Sequence, residues 1–258
     1  MANARGEIVV FLNDDAVPAT DLLTRHLRAQ AESTLPRAVI GTFGLLPRHR
    51  TDSLAEYVER TTTLFAQNAM QAGVHYAGLS LCTGNVSVKR AHVVEVGGFD
   101  AGIPHAGGED SEFGLRLERA LGLRVVFDPT CRCGHDHALD VRSLARRKRA
   151  VGWSIHRIQS RHGDLGLVPG HAWPTGEAEA AALGAALAAE RANVDALIES
   201  VDRVCRSERE KRTGAVSLHG LVPHLRRIEE ASLLTGVVLA LQGRAPDDEL
   251  AVPSTAAA

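Results

Sequence analysis

Short apolar runs alternate with helical patterns in the first half of the chain. Residues 8–12 form a β-branched and aromatic run that stops abruptly at Asn13. A run of this kind predicts a strand buried on both faces, as in a parallel sheet. Further strands are expected at residues 37–44, 82–89 and 124–127. Helices are expected at residues 22–32, 91–96 and 109–121. The alternation predicts an α/β domain with a largely parallel sheet.

The pattern changes after about residue 162. Pro169 and Pro174 fall in a short segment without periodicity, which predicts a linker. An alanine-rich stretch with helical spacing follows, and the last residues are small and polar, which is typical of a disordered tail. The expected segments are an α/β domain at 1–160, a linker at 161–176, a helical region at 177–243 and a disordered tail at 244–258.

Composition narrows the class of protein. The chain has 258 residues with 29 basic and 31 acidic side chains, and its formal net charge is −2. This balance gives no electrostatic case for binding nucleic acid. The four cysteines are too few and too unevenly spaced for a secreted disulfide scaffold. The longest apolar runs are shorter than the ~20 residues that cross a bilayer. We therefore expect a cytoplasmic protein, and peripheral contact with the inner face of the membrane stays open.

An acidic turn follows the first expected strand. Asn13, Asp14 and Asp15 stand at the carboxyl end of that strand, where α/β proteins bind ligands. Two adjacent carboxylates are costly to bury without a counter-charge. Mg²⁺ or Mn²⁺ would supply that charge and could also bind a substrate phosphate. The alternative is a solvated turn with an Asx cap.

A second acidic group begins the helix expected at residues 109–121. Glu109 and Asp110 follow two glycines. Carboxylates in this position cap a helix and favour its positive end, which is a purely structural explanation. The functional alternative is a general base, which must reach the proton of a nucleophilic hydroxyl.

Cysteine and histidine alternate in one short stretch that holds Cys131, Cys133, His135 and His137. The spacing suggests zinc, but an extended stretch of this length covers ~20 Å. Tetrahedral zinc needs its ligands within about 2.0–2.3 Å of the ion, so one zinc bound by all four side chains is disfavoured. The preferred interpretation is that one or two of the histidines point into the ligand-binding cleft.

Five motifs in this order resemble family 2 glycosyltransferases of the GT-A fold. They are residues 4–18, 82–90, 96–100, 107–117 and the spacing from Pro129 to His135. The first is similar to the strand that leads into the family's DXD-type metal motif. The next three are similar to its "GN-S-R" strand, its "GGFDE" turn and the "ED-E-G-R" motif that holds the catalytic base. The resemblance covers about residues 2–158.

The resemblance implies an inverting transfer of a sugar from a UDP- or GDP-linked donor to a hydroxyl group, with Mn²⁺ or Mg²⁺ as cofactor. The acceptor would be a glycan, a lipid-linked molecule or a protein. Carried over position by position, the resemblance implies that Asp110 is the general base and that Asp15 and His135 bind the metal, with His137 less favoured. Asn13 and Asp14 would contact the donor, and Asp14 could bind the metal instead. Asn85 and Glu109 would contact hydroxyls of the acceptor or of the donor.

One basic stretch lies outside these motifs. Arg146 stands in the middle of residues 142–149, which carry four arginines and one lysine. A contact with the donor diphosphate or with anionic lipid headgroups would use such charges. The alternative is a solvated helix flank.

The sequence departs from the family pattern in two places. Asn13 stands where many relatives carry aspartate, and the first βα units of the family have no counterpart here. The expected fold is therefore a GT-A-like, mostly parallel sheet that is incomplete at the N-terminus, with a helical C-terminal appendage. The alternative function is a catalytically inactive, truncated glycosyltransferase-like binding module.

Overall fold

The computed structural model describes residues 3–104, 107–163, 165, 167, 174 and 176–250. They divide into two compact units. The first unit contains residues 3–102, 109–138 and 212–215. The second contains the described residues of 103–108, 139–211 and 216–250. This division falls near residue 138, whereas the sequence predicts a domain boundary at residue 160.

The first unit is built on one sheet. Its strands are β1 (Ile8–Leu12), β2 (Ala16–Pro18), β3 (Arg37–Leu45), β4 (His75–Tyr76), β5 (Asn85–Lys89) and β6 (Arg124–His135). Its helices are α1 (Leu22–Ala31), α2 (Ser53–Arg60), α3 (Arg90–Glu95) and α4 (Glu109–Leu121). Short 3₁₀ turns lie at Pro47–His49, Ala66–Ala69 and Gly78–Ser80. Strands and helices alternate, and the predicted α/β class is confirmed.

The strand directions differ from the mostly parallel sheet that the sequence predicts. The strand order is β1-β5-β3-β6-β2, and β4 pairs with β6. Only β3 and β6 run parallel, while the other four pairings of the described strands are antiparallel. Among these strands β1 pairs with β5 alone, and its side chains are partly exposed. Its apolar run therefore belongs to a strand at the edge of this sheet, not to a strand buried on both faces.

Helices cover both faces of the sheet. Ala38 and Ile40 face the side of α3 and α4, where Phe113 and Leu117 complete the core. Val39 points the other way, against α1. Successive side chains of a strand point to opposite faces, so the fully buried run in β3 serves both layers. The edge strand β1 adds Phe11, whose ring lies 6.2 Å from that of Phe113.

A bulge carries β6 past a proline. The sequence predicts that the strand stops before Pro129, but β6 continues to His135. The pairing with β3 jumps from Ile40 opposite Phe127 to Thr42 opposite Arg132. Pro129 falls in the looped segment, where its missing N–H costs no ladder hydrogen bond. Gly41 of β3 lies between these two pairs, opposite the looped segment of β6.

The backbone packs so closely at this bulge that a side chain on Gly41 would clash. A Cβ there would lie 2.1 Å from the carbonyl oxygen of Cys131 and 2.3 Å from Nδ2 of Asn85. The Asn85 amide donates to the carbonyl oxygens of Thr42 and Cys131 at 2.9 and 2.8 Å. The side chain of Asn85 thus satisfies carbonyl groups that the bulge removes from the ladder.

A buried polar network that includes Asn85 joins α1 to β5. His26 contacts Asn85 Oδ1 through Nε2 and Ser87 Oγ through Nδ1, both at 2.9 Å. Gln30 donates to Ser87 Oγ at 3.1 Å. Because both protons of the Asn85 amide are used, its Oδ1 accepts and His26 Nε2 carries the proton. The network fits a neutral imidazole, and burial lowers the pKa of His26 below its ordinary value of 6.5.

We expect the stabilising effect of His26 to depend on pH. Its folded-state pKa is lowered, so below about pH 6.5 the unfolded chain takes up a proton that the folded chain resists. The stability is fully present above that pH and is lost as pH falls. His26→Gln should cost about 1–3 kcal/mol at pH 8, because buried partners lose hydrogen bonds.

Urea unfolding of both proteins from pH 8 to pH 5 measures this effect. The difference in unfolding free energy between them should shrink as the solution becomes acidic. A difference that stays constant across this range would contradict the assignment. Burial also lowers the pKa of His92 and His156, so acid still destabilises the His26→Gln variant. Its unfolding free energy should depend less steeply on pH than that of the unmodified chain.

The second unit is helical. It contains α5 (Val141–His162), α6 (Glu177–Lys211) and α7 (Leu218–Leu241). Helix α5 occupies most of the region that the sequence assigns to the end of the α/β domain. It ends inside the predicted linker, much of which lies outside the described residues. No helix in the described ranges is both long and apolar enough to span a membrane.

The start of the predicted disordered tail is ordered. The backbone N–H of Arg244 donates to Leu239 O at 2.9 Å. Leu250 is 8% exposed and packs with Val238 and Leu239. The prediction is therefore wrong for residues 244–250, because their one leucine finds an apolar surface on α7. Residues 251–258 lie outside the described part of the chain.

Two glycines let α5 and α7 touch at the backbone. A Cβ on Gly236 would lie 1.9 Å from Arg149 O, and a Cβ on Gly152 would lie 1.9 Å from Leu233 O. No methyl group fits these distances, so the helices would have to separate.

Two alanine substitutions on α7 should differ in their effect on stability. Gly236→Ala is expected to destabilise the second unit by about 1–3 kcal/mol or more, because overpacking forces the backbones apart. Gly220→Ala is the matched control, since nothing lies within 4 Å of its added Cβ. There alanine should be neutral or stabilising by up to about 1 kcal/mol. Thermal melting followed by helical circular dichroism measures both, and equal effects would contradict this account of the crossing.

Candidate metal centre and the adjoining acidic helix

The acidic turn reaches the end of β6. Residues 13–15 connect β1 with β2, and β2 pairs with β6 so that Ala16 lies opposite His135. The Asp136 N–H donates to Asp15 O at 2.8 Å. This register places Asp15 beside two histidines that are 120 or more positions away in the sequence.

Asp15, His135 and His137 form a compact cluster. Asp15 Oδ2 lies 2.9 Å from His135 Nε2 and 3.6 Å from His137 Nδ1. One ligand atom from each residue lies within 4.8 Å of the others, and the described residues contain no other such group. Asp15 Oδ1 is buried and has no hydrogen-bond partner in the described part of the chain. A buried carboxylate oxygen without a partner beside two imidazoles fits a divalent cation.

Aromatic rings fix the orientation of His135. The ring of Phe43 lies 4.7 Å from it, and that of Phe65 meets it edge-on at 5.7 Å. The His137 ring stacks on the outer side at 5.3 Å. Gly84 belongs to this arrangement, because a Cβ there would lie 2.5 Å from the Phe43 ring. The packing leaves the His135 side chain 11% exposed.

An ion-pair cluster surrounds the residue between the two histidines. Asp136 Oδ1 lies 2.7 Å from His49 Nε2 and 3.1 Å from Arg48 Nε, and Oδ2 also contacts Arg48. The hydrogen bond with His49, followed by that with Arg48, holds the pKa of Asp136 below its ordinary value. The side chain of Asp136 therefore points to the Pro47–His49 turn, away from the cluster that its neighbours form.

Asp110 lies at the same end of the sheet as the acidic turn. It stands in the first turn of α4, and its Oδ2 accepts the Thr83 N–H at 3.1 Å. The next residue, Gly84, accepts the Asn13 N–H at 3.4 Å. A single short segment thus joins the candidate base to the acidic turn. Glu109 begins the same helix.

The rest of the acidic motif is structural. Glu112 is fully buried and pairs with Arg116 one helical turn on, with Nη2 to Oε2 at 2.8 Å. Arg116 also donates to the carbonyl oxygens of Val96 and Gly98, and so fixes the glycine turn. The i,i+4 spacing makes this ion pair readable from the sequence.

The structure contradicts the predicted acceptor contact of Asn85. Its side chain is buried in the sheet at 1% exposure. Both ends of its amide are occupied, by His26 on one side and by two carbonyl oxygens of the bulge on the other. Asn85 therefore shapes the floor beneath the site and presents no group to a ligand.

The cysteines take no part in the cluster. Cys131 packs against Leu22 and Ala29 of α1, and burial raises the pKa of its thiol to about 12. Burial also raises the pKa of Cys133. Neither thiol belongs to the group of possible metal ligands among the described residues.

The remaining predicted residues lie in two places. Asn13 and Asp14 are exposed on the acidic turn, so they stay candidates for donor contact. Arg146 lies on α5 in the second unit, where it donates to Ser143 Oγ at 2.9 Å. Its predicted contact with a diphosphate or with lipid stays a prediction.

Sequence reasoning missed the residues that support the cluster. Phe43 and Phe65 pack on His135, while Arg48 and His49 bind Asp136. These contacts join positions about 70–90 residues apart, and no local pattern reveals such a separation.

Comparison with known proteins finds similarity to glycosyltransferases. The sequence profile of a family described as the N-terminal domain of galactosyltransferase matches residues 64–137. This segment holds Asp110 and both histidines. An uncharacterized glycosyltransferase of Bacillus subtilis (strain 168), YfnE, is 27% identical over 173 aligned residues, covering 50% of this chain and 44% of that protein. Residues 64–137 are thus similar to a glycosyltransferase-family domain.

One solved structure is also similar to this chain. It is that of the mannosyltransferase PcManGT from Pyrobaculum calidifontis in complex with GDP-Man and Mn²⁺. The sequence identity is 20% and the TM-score 0.48, with 95% of this chain and 65% of that one covered. The chain thus spans less than half of YfnE and about two thirds of the mannosyltransferase.

Proposed function

We propose that this chain catalyses transfer of a sugar from a nucleoside-diphosphate donor to an acceptor hydroxyl with inversion. The cluster of Asp15, His135 and His137 carries the proposal. It lies at the end of the acidic turn and has one buried carboxylate oxygen with no partner among the described residues. A divalent cation would satisfy that oxygen and, when bound, would neutralise charge on the departing diphosphate.

The donor set favours Mn²⁺ over Mg²⁺. Magnesium prefers oxygen ligands throughout and keeps most of its water, whereas imidazole suits transition metals. Two of the three side chains here are histidines. We therefore expect the protein to prefer Mn²⁺, with Asp15 and His135 as principal ligands and His137 as the third.

Asp110 is the proposed general base. It stands in the first turn of α4, where the backbone dipoles favour a negative charge. Its Oδ2 accepts one backbone N–H from Thr83. In this role it takes the proton of the acceptor hydroxyl as the oxygen attacks the sugar carbon in line.

The remaining assignments complete the proposal. Asn13 and Asp14 contact the UDP- or GDP-linked donor, and Glu109 contacts the acceptor. The acceptor is a glycan, a lipid-linked molecule or a protein. The reaction takes place in the cytoplasm, with contact to the inner face of the membrane where the acceptor is a lipid.

Calorimetric titration with UDP- and GDP-linked sugars tests the proposal. The titrations are run with Mn²⁺, with Mg²⁺ and with EDTA, and release of nucleoside diphosphate is followed in parallel. We expect donor binding that requires the metal, with Mn²⁺ more effective than Mg²⁺, and acceptor-dependent release of diphosphate.

Two other results have distinct meanings. Metal-dependent donor binding without release under any acceptor condition would favour an inactive binding module, which the short coverage of YfnE also allows. Binding that is equally strong in EDTA would contradict the metal site.

A further inference from the structure

The residue between the two histidines is held from outside the cluster. Asp136 receives two hydrogen bonds from Arg48 and lies 2.7 Å from His49 Nε2. Both partners belong to the Pro47–His49 turn that follows β3. We call these three side chains the Asp136 clamp.

His135 does not depend on this clamp. It is the last residue of β6 and lies opposite Leu45 of β3 and Ala16 of β2. Its carbonyl oxygen also accepts the Leu46 N–H at 3.0 Å. Backbone pairing on both sides therefore fixes His135 before any side chain acts.

His137 has no such backbone pairing within the described part of the chain. It lies beyond the end of β6, its side chain is 50% exposed, and its ring stacks on that of His135. The direction of the chain at residue 136 decides whether the ring reaches Asp15. Two kinds of contact hold the chain there: the Asp136 N–H donates to Asp15 O, and the clamp holds the Asp136 side chain.

We propose that Asp136, held by Arg48 and His49, is a positioning residue for the cation site and acts through His137. The inference rests on the proposed function, because it requires a cation at Asp15. It adds that the Pro47–His49 turn after β3 positions His137, the third proposed ligand of the cation.

The expected loss of Mn²⁺ affinity on replacing Asp136 follows from the geometry of the clamp. A single exposed ion pair contributes little, but the Asp136 carboxylate is bound at both oxygens by a guanidinium and at one by an imidazole. Residues that orient metal ligands typically change metal affinity by about 10–100-fold when they are removed. Asp136→Ala should therefore weaken Mn²⁺ binding about 10-fold. It keeps the backbone hydrogen bond from residue 136 to Asp15.

A double-mutant cycle tests the route of action. Mn²⁺ affinity is measured by electron paramagnetic resonance for the unmodified chain, Asp136→Ala, His137→Ala and the double variant. If Asp136 acts through His137, its loss adds nothing once His137 is gone, so the double variant should match His137→Ala. A direct effect of the Asp136 charge on the cation would persist in the His137→Ala background.

A matched surface carboxylate provides the control. Asp21 pairs with Arg25 on α1, and its side-chain exposure of 38% is close to the 36% of Asp136. Asp21→Ala should leave Mn²⁺ affinity unchanged, and thermal melting should be the same for all folded variants.

Three results would overturn the inference. An unchanged affinity in Asp136→Ala would show that the clamp does not position a ligand. Additive losses in the double variant would show that it acts by another route. Failure of the unmodified chain to bind Mn²⁺ would refute the proposed metal site and this inference together, whereas the first two results leave the metal site standing.

Discussion

Asp15→Asn should weaken Mn²⁺ binding by about 100-fold or more and reduce metal-dependent transfer to background. Asp15 supplies the only negative charge among the three clustered ligands. The substitution keeps the shape of the side chain and removes that charge, so the cation loses its strongest electrostatic partner while the fold stays the same. Calorimetry with Mn²⁺, paired with a transfer assay, measures both effects.

Asp21→Asn is the matched control for this experiment. Its side chain is about as exposed as that of Asp15, at 38% against 30%. Asp21 immediately precedes α1 and is not a member of the cluster. We expect its Mn²⁺ affinity and activity to equal those of the unmodified chain. Metal-stimulated transfer that survives in Asp15→Asn would count against the site.

Asp110→Asn should lower the turnover number by about 10²–10⁴-fold and leave donor binding nearly intact. An amide cannot take the proton of the acceptor hydroxyl. Its oxygen can still accept the Thr83 N–H, so the local structure around Gly84 should persist. The loss is therefore expected in kcat, with the donor dissociation constant unchanged.

The measurement is steady-state transfer beside calorimetric donor binding, using the longest form of the protein that carries this domain. Unchanged turnover in Asp110→Asn would refute the assignment of the base. Parallel losses of donor affinity and melting temperature would instead assign Asp110 a structural role, through its contact with Thr83.

Local pattern predicted most elements well. The apolar runs place β1, β3 and β5, and the 3.6-residue period places α1 and α4. The strand expected at residues 124–127 is an exception, because β6 continues to His135. Periodicity shows that an element exists and which side is apolar. It carries no information on strand direction, and for that reason the mostly parallel sheet was wrong.

Asn85 shows why a motif does not by itself define a contact. The sequence places it on a strand in a family motif, which favours a ligand role. The bulge opposite it exposes two backbone carbonyl oxygens inside the sheet, and the Asn85 amide satisfies them. Leaving a buried carbonyl oxygen without a hydrogen bond costs free energy, so the Asn85 side chain points into the sheet to bind these oxygens. That bulge depends on the pairing of β3 with β6, which no local signal specifies.

The sequence by itself determined the α/β class, the acidic turn, the acidic start of α4 and the two histidines as candidates for one site. The α/β class follows from local rules, because composition and spacing act within a few residues. The grouping of the acidic residues and the histidines as one site is what the resemblance to the glycosyltransferase family implies. Only the tertiary structure decided that Asp15 meets His135 and His137, that Asn85 is internal and that Asp136 is bound by the turn after β3. Those outcomes depend on strand register and packing between distant segments, where a shift of one residue would turn each side chain to the other face.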